Sequence, residues 1–254
     1  MLNEIRARIK QGYRTAPFPS KEMKLPERYL GVPIIEKKKC GESDCRNCVK
    51  SCPLSCISKT DKGITIDLGI CIFCGDCARA CPSGGITFSR HYAMSVNNRA
   101  DLKLSGKTLK LAKALEDKSK AIFGHSLKLR EVSAGGCNAC EADTNVLNTL
   151  AWDLGRFGIQ FVASPRHADG LFITGAVPQN MLLALKKTYD AIPEPKLVIV
   201  AGACAISGGI FKDHPEVNNG ADNILPVDLY IPGCPPHPAT ILDGLLRLLG
   251  RIEL

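Results

Sequence analysis

The spacing Cys71-x2-Cys74-x2-Cys77-x3-Cys81-Pro82 constrains this chain more than any other feature of its 254 residues. Three thiols on one tight turn can cap three corners of an iron–sulfur cube, while a fourth, held before a proline, reaches a neighbouring cube. The run recurs in altered form as Cys40-x4-Cys45-x2-Cys48-x3-Cys52-Pro53, with two extra residues between its first two thiols. Both runs continue as Cys-Pro-x-x-x-Ile, from Cys52 to Ile57 and from Cys81 to Ile86, which marks an internal repeat. Between them, Gly63-Ile64-Thr65-Ile66-Asp67 alternates as a short strand does.

In paired runs of this kind the fourth thiol crosses to the other cube. That rule assigns Cys40, Cys45, Cys48 and Cys81 to one 4Fe-4S cluster, and Cys71, Cys74, Cys77 and Cys52 to a second. Cys56 has no slot and is read as a core residue. A structural zinc ribbon is the general alternative for a Cys-x2-Cys pair. Two Cys-x2-Cys-x3-Cys-Pro runs, one of them complete, count against it.

The chain has 13 cysteines, which in a short secreted protein would suggest a disulfide framework. Its start, Met-Leu-Asn-Glu-Ile-Arg, lacks the apolar segment of a signal peptide. No stretch approaches the ~18 apolar residues of a membrane span. The expectation is a reducing, cytosolic setting in which dense cysteine means metal. The formal charge of +8 does not point to nucleic acid, because the basic residues are dispersed and aromatics are only 6%. Three clusters of about −2 each would bring the loaded chain to roughly +2.

Four further cysteines lie in a second group. Cys137 and Cys140 sit in Ala134-Gly-Gly-Cys-Asn-Ala-Cys-Glu141, Cys204 in Ala201-Gly-Ala-Cys-Ala, and Cys234 in Ile231-Pro-Gly-Cys-Pro-Pro236. Strand-like runs precede these loops or lie between them: Ser126 to Val132, Leu171 to Thr174, Leu197 to Val200, and Asp228 to Ile231. Helical segments alternate with them: Glu141 to Phe157, Pro178 to Ala191, and Pro238 to Leu249. The alternation predicts a parallel sheet flanked by helices, with ligands gathered beyond the carboxyl ends of the strands. All four cysteines fall there, on glycine-rich loops that let backbone approach a cofactor, which predicts a third four-thiol site.

The expected organisation is an N-terminal helix and extended, proline-punctuated docking arm (1–33), a two-cluster domain (34–95), a helical linker (96–124) and an α/β domain (125–254). Leu2, Ile5 and Ile9 share one face of the first helix; it reads either as a terminal helix or as a dock for a membrane-embedded partner. The linker helix rests on the spacing of Leu102, Leu109, Ala112 and Leu115. Glu141 follows a candidate ligand directly, so it reads as a proton relay, as a group tuning the cluster's potential, or as a carboxylate at a helix N-terminus. His167 and His237 are expected on loops near the third site, in packing or partner-contact roles.

Gly136-Cys-Asn-Ala-Cys-Glu141, Phe161-Val-Ala-Ser-Pro-Arg-His-Ala-Asp169, Gly202-Ala-Cys-Ala and Pro232-Gly-Cys-Pro-Pro236 resemble the small subunit of membrane-bound, energy-converting nickel–iron hydrogenases of the formate hydrogenlyase type. The same region is similar to the proximal-cluster subunit of respiratory complex I, and residues 1–95 resemble the two-cluster ferredoxin-like subunit of those complexes. The resemblance implies a ferredoxin-like domain fused to a flavodoxin-like one, with three 4Fe-4S clusters. Cys137, Cys140, Cys204 and Cys234 would hold the proximal cluster beside a partner large subunit. It further implies membrane subunits, an external electron carrier such as ferredoxin, and a peripheral place on the cytoplasmic side of the membrane. The separated Cys137 and Cys140 are the hydrogenase form. Ala139, where that branch has glycine, and Ala142 and Asp143 depart from it, so a nickel-free, complex I-like assembly stands as the alternative; a non-catalytic zinc adaptor is the remaining one.

Overall fold

The structure is a computed structural model describing residues 2–40, 45–60, 63–106, 108–114 and 126–252. Helix α1 (Leu2–Gln11) buries no residue. The arm after it does. Phe18 and Leu25 are buried, Ala16 donates its amide to the Ala151 carbonyl, and Arg156 donates to the carbonyls of Ala16 and Phe18. The arm thus lies on the chain's own second half.

The first half is built on the internal repeat. Strand β1 (Pro33–Ile35) leads into α2 (Lys37–Cys40), followed by α3 (Asn47–Lys50), β2 (Ile57–Thr60), β3 (Gly63–Asp67), α4 (Asp76–Arg79) and β4 (Ile86–Phe88). β1 pairs with β4, and β2 with β3, all antiparallel. The described residues of the expected linker helix, 102–106 and 108–114, do not form an α-helix. Arg99–Leu102 is a single 3-10 turn, and β5 (Lys103–Leu104) adds to the free edge of β3, with Leu104 opposite Ile66. Leu102 and Leu104 are both buried while Lys103 faces out, a strand alternation that tertiary pairing favours over the helical one. Leu115 lies outside the described residues.

The second half is a five-stranded parallel sheet. In chain order it comprises β6 (Leu127–Ser133), α5 (Ala139–Val146), β7 (Ile159–Phe161), β8 (Gly170–Thr174), α6 (Gln179–Ala191), β9 (Leu197–Ala201), α7 (Ala203–Ser207), β10 (Leu229–Ile231) and α8 (Pro238–Leu248). The spatial order is β7-β6-β8-β9-β10. This is the flavodoxin-like 2-1-3-4-5 order, so the expected mixed α/β architecture holds. The helix expected through Phe157 ends at Val146; Asp153 then takes a left-handed conformation and Leu154–Phe157 is a 3-10 turn.

Both sheet faces are covered, which is why the strands read as unbroken apolar runs. Leu127, Leu129, Phe172, Ile199 and Ile231 pack under α8, whose residues are all buried, with Arg247 paired to Asp243 at 2.8 Å. The opposite face, with Leu171, Ile173, Val198 and Val200, shares one continuous core with Ile57, Ile66, Leu68 and Leu102 of the first half. The halves are also tied by polar contacts. Val96 bridges to Tyr230, and the buried Ser207 hydroxyl donates to the Gly69 carbonyl at 2.8 Å.

Candidate functional site

Twelve of the 13 thiols fall into three sets. Cys40, at the end of α2, Cys45, Cys48 in α3, and Cys81 line one cavity of about 210 Å³ together with Lys39, Ile64, Pro82 and Ser83. Cys52, Cys71, Cys74 and Cys77 line a second, whose remaining wall is Cys56, Pro53, Leu54, Ile57, Ile66, Ile72, Gly75 and Phe88. The crosswise grouping read from the repeat is therefore the grouping of the cavity walls, Cys40 included. Cys52 and Cys81 each follow a short helix, α3 and α4, by two residues, and each lines the cavity of the other run.

The backbone is arranged to favour thiolate. Amides donate to sulfur from Phe73 to Cys71 at 3.3 Å, from Cys56 to Cys52 at 3.3 Å, and from Gly85 to Cys81 at 3.2 Å. Burial pushes Cys81 up, but hydrogen bonds from Ser83, Gly85 and Ile86 outweigh it and leave this thiol below its ordinary value. The hydrogen bond from Cys56 is the largest influence on Cys71, which is also held low. Burial instead pushes Cys77 up to about 12, with the charge of Cys71 adding to it. Burial, with neighbouring sulfurs adding to it, also raises Cys40, Cys48 and Cys74.

Cys137, Cys140, Cys204 and Cys234 converge beyond the carboxyl ends of β6, β9 and β10. Burial and then the charges of Glu141, Cys204, Cys234 and Cys137 raise the Cys140 thiol. Cys234 is pushed up to about 11 by burial, then by Cys204, Cys137 and Cys71, so the third set adjoins the second. Cys137 and Cys234 are exposed, as are the side chains of Ile210, whose backbone hydrogen-bonds Cys204, and Phe211.

Glycines make room for the sulfurs. A Cβ at Gly202 would lie 2.6 Å from the Cys140 sulfur, one at Gly209 would lie 2.6 Å from Cys204, and one at Gly85 would lie 2.5 Å from Cys40. With three all-thiol donor sets and sulfur-directed amides, the residues fit 4Fe-4S groups. Among the described residues, no three His, Cys, Asp or Glu side chains converge on a single metal ion.

Glu141 is buried at the start of α5. Its Oε1 accepts from the Ser133 and Thr174 hydroxyls, each at 2.6 Å, which braces the ends of β6 and β8 together beside Cys140. Burial raises this carboxyl, but those hydrogen bonds outweigh it and hold it below its ordinary value. Glu131, which the motifs did not single out, points to the same face. Burial and then the charge of Glu141 push it to about 7. Among the described residues its Oε1 and Oε2 of Glu141 are buried without hydrogen-bond partners.

Of the two histidines, only His237 lies near the third site, sharing a cavity wall with Cys234. His237 caps α8, its Nδ1 accepting from the Ala239 amide at 3.1 Å, and packs against Tyr29 and Trp152. Burial lowers its pKa. His167 is exposed in the 3-10 turn between β7 and β8, three residues before the amino end of β8.

A flavodoxin-like sheet with a four-thiol edge, joined to a paired-repeat thiol domain, defines a class of iron–sulfur redox proteins. Sequence comparison agrees: residues 64–87 match the 4Fe-4S binding domain, and residues 137–248 match the NADH ubiquinone oxidoreductase 20 kDa subunit. The chain belongs to the 20 kDa subunit family. It is 41% identical over 130 residues to a probable membrane-bound hydrogenase subunit of Pyrococcus furiosus, covering 51% of this chain and 78% of the relative. It is 49% identical over 117 residues to an NADH-quinone oxidoreductase subunit of Citrifermentans bemidjiense, covering 46% of this chain and 68% of the relative. It is 48% identical over 122 residues to formate hydrogenlyase subunit 7 of Escherichia coli, covering 48% of this chain and spanning only 48% of that relative.

Proposed function

We propose that this chain is an electron-conducting subunit of a membrane-associated, hydrogenase-type complex and holds three 4Fe-4S clusters. The first would be held by Cys40, Cys45, Cys48 and Cys81, the second by Cys52, Cys71, Cys74 and Cys77, and the third by Cys137, Cys140, Cys204 and Cys234. The observation that carries this reading is the presence of three four-thiol sets in one chain, the third bordering the second where Cys234 lines one cavity with Ile72 and Phe73 of the Cys71 loop.

When bound, the clusters supply one-electron redox chemistry at potentials set by charge, hydrogen bonding and exposure. The chain's own residues orient the sulfurs by amide donation. They keep water from the second site with Leu54, Ile57, Ile66 and Phe88, and leave Cys137 and Cys234 at a surface that a partner large subunit would cover. Glu141 braces the turn bearing Cys140. A nickel–iron large subunit, membrane subunits and an external carrier such as a ferredoxin are the partners of this reading. The chain would be held by them at the cytoplasmic side of the membrane; among the described residues no helix is long and apolar enough to cross it.

The 49% identity to a component of an NADH-quinone oxidoreductase supports a second reading, a complex I-like assembly passing electrons to a quinone or sulfur acceptor. Metal and sulfide analysis of the anaerobically purified complex separates the two. About twelve irons assignable to this chain, with nickel in the partner, are expected. The same iron without nickel moves the chemistry to the second reading, and zinc in place of iron overturns both.

A further inference from the structure

The second cavity has five thiols in its wall where the reading above uses four. The fifth, Cys56, is 7% exposed. Its sulfur lies 3.3 Å from that of Cys52, and its side chain also hydrogen-bonds that of Cys71. Its backbone amide reaches Cys52 as well, at 3.3 Å. One residue therefore touches two of the four sulfurs through two different donors.

The internal repeat supplies a control within the same molecule. Cys56 stands four residues after Cys52, as Gly85 stands four after Cys81, and each precedes the isoleucine that closes its run. The amide contact is the same in both, with Gly85 donating to Cys81 at 3.2 Å. The side chain is not. Gly85 has none, and a Cβ there would meet the Cys40 sulfur at 2.5 Å. At this position the two pseudo-equivalent sites differ by one S–H; two residues earlier in each run the first site has Ser83, in contact with Cys81, where the second has Leu54.

Two features of the wall decide the state of that group. Surrounded by apolar side chains and placed against two thiolates, a third thiolate would be an unpaired charge in a poorly screened site. A neutral thiol is instead a donor, weak in water but stronger where the dielectric is low. Reduction adds negative charge that the ligand sulfurs share, so a proton donated to one of them stabilises the reduced form more than the oxidised one.

We propose that Cys56 is a positioning residue that raises the reduction potential of the second site by donating its S–H to the Cys71 and Cys52 sulfurs, a contact the first site lacks. This rests on the second site holding a 4Fe-4S group. No bond forms or breaks, and the proton stays on Cys56.

The test is a redox titration of the whole purified complex followed by electron paramagnetic resonance, comparing wild type with Cys56→Ala and Cys56→Ser. In Cys56→Ala one midpoint should fall by about tenfold in the reduction equilibrium, ~59 mV for one electron, while the other signals stay put. Serine keeps a donor and should hold the midpoint near wild type. In the infrared, a wild-type minus Cys56→Ala difference spectrum should show an S–H stretch below the frequency of a free thiol. Unmoved midpoints in Cys56→Ala, or equal shifts in both variants, would overturn the proposal, as would a missing S–H band. If Cys56→Ala loads iron poorly, the Cys56→Ser midpoint and its own difference spectrum decide. A wild-type complex without cubane signals would overturn the underlying function; a full complement of iron with unmoved midpoints would overturn this inference alone.

Discussion

Arg99 holds Asp67 through both arms of its guanidinium, Nη1 to Oδ1 at 2.8 Å and Nη2 to Oδ2 at 3.0 Å. Asp67 ends β3 and also accepts the Gly69 amide at 2.9 Å, at the head of the loop that carries Cys71. The joining segment of the chain thereby steadies the second thiol set.

Breaking this pair from one side leaves a charge in a mostly enclosed place. Arg99→Ala should cost about 2 kcal/mol, below the 3–5 of a fully buried pair because both side chains keep some solvent. Arg99→Lys should recover only part of this, since an ammonium cannot match the two-point geometry. Thermal unfolding of both variants beside Asp67→Asn and the double change checks the coupling; strict additivity would show that the contact contributes nothing.

Gly202 has φ +93°, and a Cβ on it would sit 2.6 Å from the Cys140 sulfur. Gly202→Ala should therefore displace Cys140 and cost the complex about the same four irons as Cys204→Ser. Gly84→Ala is the control: φ is +62° there too, but nothing lies within 4 Å. Its iron content should match wild type. Iron and acid-labile sulfide counts provide the measurement.

Glu131 supplies a pH dependence. Its folded value of about 7 lies above the ordinary 4.5, because burial and then Glu141 disfavour its charge. Between those values the folded chain binds more protons than the unfolded one, so stability falls as pH rises through the window and levels off above about 7. Solvent reaching this half-buried group moderates the effect. Glu131→Gln should flatten the decline, read as the thermal midpoint against pH for both proteins. Parallel curves would assign the slope to another group.

Phe18 anchors the arm, 5% exposed and edge-on to Tyr92 at 6.0 Å between ring centroids. Phe18→Ala should cost about 3 kcal/mol and loosen the arm. Limited proteolysis should then cut within the arm, whereas Ile9→Asp, at a position 76% exposed, should leave the cleavage pattern unchanged.

How far the sequence could be read follows from how local each signal was. Leu197-Val-Ile-Val200 announced a strand buried on both faces, and the two Cys-Pro runs announced which thiols share a cavity, because spacing within a turn is local. The stretch from Leu102 misled because its leucine spacing suits helix and strand alike; only pairing with Ile66 decides, and that partner lies far off in sequence. β7 is three residues long, too short for a periodic signal. Glu131 and Glu141 share a face only once β6 and α5 are stacked. Cys56 had no motif to belong to, although its alignment with Gly85 across the repeat was visible from the start.

The interleaving of the first two cavities bears on how the protein is made. Cys40, Cys45 and Cys48 leave the ribosome first, yet the fourth thiol of their cavity, Cys81, emerges after all four of the other. The earliest site in synthesis is thus the later of the pair to be completed, and a nascent chain paused after Lys50 offers three thiols with no fourth. On the proposed reading, the first cavity therefore has its four cluster ligands together only once the repeat has closed on itself.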